Sequence, residues 1–173
     1  MAKRVLMVVI AAAAISISSV AGAAGSNTKH KHRGKAHTIA GLVSFGNINP
    51  PGAINVTGRQ TYAGTVDVKV GGVPVSGAIR GRNRYKLVRG GLRFTGRLTI
   101  FLSQGSLNGT LNGKGVVASA SSTSLSGSVT ITSGAGIYRG VKGSFRFKGT
   151  AKSFDGDGDE LIASLKTIGT LRY

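Results

Sequence analysis

The sequence predicts an all-β fold, a small antiparallel barrel of about eight strands behind an N-terminal signal peptide. Three observations predict it. Period-two alternation of apolar and polar residues recurs from Thr38 to Tyr173, and no stretch of that region has helical spacing. Several glycines stand in the apolar phase of these runs, where a flat sheet has no use for them. Glycine pairs at Gly71-Gly72 and Gly90-Gly91 separate consecutive runs and read as hairpin turns.

The elements follow in chain order. Lys3 and Arg4 precede an uncharged run from Val5 to Val20, and Ala21-Gly22-Ala23 completes the pattern of a cleavable signal over residues 1–23. The run is shorter than the ~20 residues that a membrane-spanning helix needs. Cleavage after Ala23 and a secreted or cell-envelope location are therefore expected. Residues 24–37 carry Lys29, Lys31, Arg33 and Lys35 with no anchoring apolar side chain, and read as a flexible basic arm. His30, His32 and His37 share this segment, but the neighbouring cations oppose a metal and no carboxylate assists one.

The barrel domain is assigned to residues 38–173. Val66, Val68 and Val70 alternate with Thr65, Asp67 and Lys69; Leu92, Phe94, Leu98, Ile100 and Leu102 oppose Arg93, Thr95, Arg97 and Thr99. Leu125, Val129 and Ile131, then Phe145 and Phe147, then Leu161, Ala163, Leu165, Leu171 and Tyr173 continue the pattern. Gly41, Gly77, Gly96, Gly109 and Gly127 fall in the same phase as these apolar residues. Glycine there implies sharp bending or a close approach of backbone, as closure of a small barrel requires. An interior of roughly eight strands is either filled by side chains or holds one small ligand. The inward glycines are compatible with both.

Gly134-Ala135-Gly136-Ile137-Tyr138-Arg139-Gly140-Val141-Lys142-Gly143-Ser144-Phe145 resembles a Gly-x-Gly-x-aromatic-x-Gly-x-x-Gly segment of the allene oxide cyclase and dirigent-like barrels and their secreted bacterial relatives. The resemblance implies an eight-stranded antiparallel barrel that binds a small hydrophobic molecule inside. It covers a short part of the domain. The functional carboxylates of those families have no counterpart here, since Asp67 is the only acid before residue 155 and stands in the polar phase.

Enzyme chemistry finds little support. There is no cysteine, hence no disulfide, thiolate metal site or thiol nucleophile. All three histidines precede Thr38, and no Gly-x-Ser-x-Gly elbow occurs. Asp155-Gly156-Asp157-Gly158-Asp159-Glu160 could wrap calcium, but it lacks the EF-hand glycine and glutamate positions and reads as a solvated turn. No cofactor is expected.

The charge is more informative. Lys and Arg total 23 against five acids, a formal net charge of +18. Arg80, Arg82, Arg84 and Lys86 alternate and share one strand face, and Arg89, Arg93 and Arg97 follow with no acid between. A second cluster comprises Arg139, Lys142, Arg146, Lys148 and Lys152. Uncompensated cations repel one another and attract polyanions. A membrane-spanning barrel would put this cationic phase into a narrow lumen, at several kcal/mol per unpaired ion. Aromatic residues able to stack on bases are sparse around the cations, which disfavours specific nucleic-acid recognition. The expected partner is an anionic envelope polymer or surface, bound without catalysis. The alternative is a barrel that binds or converts a small apolar ligand.

Overall fold

A computed structural model describes residues 34–48, 57–153 and 161–173. The expected signal segment, most of the basic arm and the acidic turn at 155–160 lie outside the described residues. Eight strands follow one another: β1 (Ala36–Asn47), β2 (Thr57–Val70), β3 (Val73–Val88), β4 (Gly91–Leu102), β5 (Gly105–Ser119), β6 (Ser122–Gly136), β7 (Lys142–Ser153) and β8 (Leu161–Arg172). Each pairs antiparallel with the next, and β8 pairs with β1 to close the barrel. Closure leaves no unpaired strand edge. The all-β barrel read from the alternation is the fold observed.

β1 begins at Ala36, so His37 belongs to the barrel rather than to the arm. It pairs with Leu171 of β8, and its ring stacks on Tyr173 at 4.6 Å. The second hairpin turn is Arg89-Gly90, with Gly91 already in β4.

The inward phase is as the alternation requires. Ile39, Val66, Ile100, Leu107, Val129 and Leu171 are buried, while their strand neighbours face out. The inward glycines have two uses. Gly77, Gly96 and Gly127 meet the backbone of the adjoining strand, where an added Cβ would lie 2.0–2.2 Å from a carbonyl oxygen. Gly81, Gly58 and Gly113 seat aromatic rings directly across the ladder, facing Tyr62, Tyr85 and Phe94, and Gly127 does both, facing Phe147 as well. A Cβ at Gly81 would stand 2.2 Å from the Tyr62 ring. Glycine thus lets large side chains interlock, a pairing known to rescue glycine in sheets.

Candidate functional site

The interior divides along its length. One end is closed by the connection between β6 and β7, the glycine-rich element around Tyr138. Gly136 and Gly140 take φ of +64° and +80°, which side-chain-bearing residues rarely adopt. The resulting loop turns Tyr138 and Val141 inward, and both are buried. Ile137 N–H donates to the Gln104 carbonyl and ties the loop to the β4–β5 turn. Tyr138 meets Tyr173 edge-on at 6.3 Å, and burial, then the neighbouring Tyr173, pushes its phenol above the ordinary value. The motif that carries the family resemblance closes an end of the barrel.

Toward the other end the side chains leave a cavity of about 290 Å³. That is the lower end of the range for small-molecule sites, roughly 300–1,000 Å³. Phe45, Phe94, Phe145 and Phe147 supply aromatic wall, and the exposed residues Ser119 to Ser121 form part of the rim. Three polar side chains stand together on the inward face of β2 and β3. Gln60 pairs across the ladder with Asn83, and Tyr62 with Gly81, two residues from Asn83. The Tyr62 hydroxyl and the Asn83 Oδ1 are buried without a hydrogen-bond partner among the described residues. Burial pushes the Tyr62 phenol far above its ordinary value, so it is a neutral donor at physiological pH. Thr167, also on the wall, is satisfied by donating to the Gly41 carbonyl at 3.2 Å. No charged side chain is among the described lining residues.

The expected cationic residues are all on the outside. Arg80, Arg82, Arg84 and Lys86 project from β3, Arg93 and Arg97 from β4, and all six are exposed. Arg89 sits in the turn between the strands, at the barrel's end rather than on its wall. The ladder sets like charges opposite each other: Arg82 faces Arg97, Lys86 faces Arg93, and Arg84 faces Arg59 of β2. Lys114 of β5 extends the face beyond Arg93. Like charges directly opposite each other destabilise a sheet. Asp67, the only acid among the described residues, accepts a hydrogen bond from Ser76 at 2.7 Å and faces none of these cations.

Sequence reading missed the polar group of Gln60, Tyr62 and Asn83. A signal was present, since Asn83 interrupts the inward series Ile79, Gly81, Tyr85, and Gln60 stands between Gly58 and Tyr62. It also missed Arg59 and Lys114, isolated in sequence and joined to the face only by strand pairing.

No protein-family model matches the chain, and no curated protein matches it. Among solved structures it is similar to one named pyocyanin demethylase, at 19% identity and a TM-score of 0.37, over 77% of this chain and 99% of that one. It is also similar to the pterocarpan synthase dirigent protein GePTS1, at 14% identity and a TM-score of 0.44, over 86% of this chain and 98% of that one. Both are distant likenesses of the barrel fold, and neither places the chain in a family.

Proposed function

We propose that the barrel interior binds a small, largely apolar molecule carrying one hydrogen-bonding group. The observation that carries this reading is the pair Tyr62 Oη and Asn83 Oδ1, unpartnered among the described residues, on the wall of an apolar cavity. Buried polar groups left without partners cost about 1–3 kcal/mol each, and a ligand that satisfies both removes that cost. Asn83 Oδ1 accepts, and Tyr62 donates or accepts, so a hydroxyl or amide group suits the pair. Among the described lining residues there is no general base near neutral pH, which favours binding over conversion.

The neutral dye Nile red, which the cationic exterior does not attract, is a suitable probe. Saturable binding with an emission shift is expected, and Leu125→Trp, which fills the cavity from β6, should weaken it at least tenfold. Equal binding by the variant would refute an interior site. For the polar pair, the wild type should prefer 2-naphthol over 2-methoxynaphthalene by about fivefold, the worth of one hydrogen bond of ~1 kcal/mol. Asn83→Leu should erase that preference.

A second reading rests on the like-charge ladder pairs of β3 and β4: the exterior binds a linear polyanion. Counter-charges from a polymer relieve a repulsion that the described residues themselves do not offset. In the exported setting that residues 1–23 predict, an acidic envelope polymer is the fitting partner.

A further inference from the structure

Positive charge is not spread evenly around the barrel. The outward positions of β1 are Thr38, Ala40, Leu42 and Ser44, and those of β6 are Ser124, Ser126, Ser128, Thr130 and Thr132, with no cation on either strand. Apart from Lys69 of β2, which stands opposite Pro74, the strand cations gather in two sectors between them. One is the face on β3 and β4 with its flanking Arg59 and Lys114. The other is on β7 and β8, where Lys142, Arg146, Lys148, Lys152, Lys166 and Arg172 all face outward and are exposed.

The second sector repeats the construction of the first. Lys148 stands opposite Lys166, and Lys142 opposite Arg172. Lys142 also donates to the Thr132 carbonyl. Within a closed ring of eight strands, the β3–β4 seam and the β7–β8 seam lie four strands apart in either direction. They are therefore on opposite sides of one continuous hydrogen-bonded sheet.

We propose that the protein is a two-faced cross-bridge, each face holding a separate chain of a linear acidic polysaccharide. This rests on the polyanion reading above. Solubility alone is served by scattered charge and gives no reason to set like charges opposite each other in two sectors. Successive cations on a strand are about 6.7 Å apart, and neighbouring strands about 4.8 Å, so each face is a narrow track of closely spaced positive charge. A convex cylinder matches a linear chain better than a flat bilayer. Exposed hydroxyl side chains lie among the cations, Thr95 on one face and Ser144 and Thr170 on the other, and can meet sugar hydroxyls. The outward aromatic of the β3–β4 face is Phe101, at the end of β4, which leaves the track without a stacking platform for bases. Opposed faces on a rigid sheet favour two chains over one.

The test uses the full chain and an oligogalacturonate long enough to span one face, with stoichiometry read by calorimetry and native mass spectrometry. Two oligomers per protein are expected. The β3 variant R80S/R82S/R84S/K86S and the variant R146S/K148S/K152S/K166S should each bind one, and the combined variant none. With long polygalacturonate at low salt, the wild type should form a turbid network that dissolves as salt rises through physiological strength. Each single-face variant should give soluble complexes.

Retained Nile red binding and circular dichroism report folding. Should a quadruple variant fail to fold, R82Q/R84Q and K148Q/K166Q serve in its place, with the same loss of one oligomer expected. One oligomer per wild-type protein would overturn the bridge and leave the polyanion reading standing. No binding at all would overturn both. A single-stranded oligonucleotide held tenfold more tightly than oligogalacturonate would overturn the polysaccharide assignment.

Discussion

The two ends of the barrel are made from the same eight strands and are filled differently. At the end closed by residues 137–141, Leu107, Val141 and Leu171 are excluded from solvent and two tyrosine rings meet edge to face. Toward the other end, the same strands carry rings seated on glycines and leave a cavity with two polar atoms unsatisfied among the described residues. Close packing at one end holds the barrel closed, while the described residues leave the interior toward the other end incompletely filled. Stability and recognition are thereby assigned to different parts of one sheet.

The sharpest way to break this contrast is to truncate a side chain at each end. Leu171→Ala should lose about 2–5 kcal/mol, as truncations in fully packed cores do. Leu87→Ala, on the wall of the cavity and already half exposed, should lose under about 1.5 kcal/mol, because little new void is created. Urea midpoints measure both, and equal losses would show that the ends do not differ in packing. Next in size is Gly81→Ala, whose methyl enters the space of the Tyr62 ring. A loss of about 1–3 kcal/mol is expected, as for overpacked cores. The loss should be smaller when the same change is made in a Tyr62→Leu background, which a double-mutant cycle reads directly.

Alkaline pH sharpens the contrast from the chemical side. Tyr62 ionises above its ordinary value when folded, so the folded state holds its proton after the unfolded chain has released its own. The associated stability is complete below the unfolded value of about 10 and declines as pH rises beyond it. Tyr62→Phe should therefore lose less of its melting temperature between about pH 9 and 11 than the wild type. Identical slopes would place the phenol in solvent. The smallest effect belongs to the exterior: Ser at Arg80, Arg82, Arg84 and Lys86 should change stability by no more than about 0.5 kcal/mol each. Any gain from relieved repulsion should shrink with added salt.

Strand phase was legible because in a closed barrel burial follows side-chain direction, and direction alternates strictly along a strand. Val66, Phe94, Val129, Phe145 and Leu165 all point where the alternation puts them. The close approach implied by Gly77, Gly96 and Gly127 was legible for the same reason, since an inward residue without a side chain marks a crowded place. The outward direction of Arg80, Arg82, Arg84 and Lys86 followed as well. What alternation cannot supply is pairing across strands, because register depends on turns and on closure between residues distant in sequence. Only the tertiary structure put Tyr62 over Gly81, brought Gln60 opposite Asn83, joined Arg59 and Lys114 to one cationic face, and set Lys148 opposite Lys166 on the far side. A single strand determines which way its residues face; the ring of eight determines which residues meet.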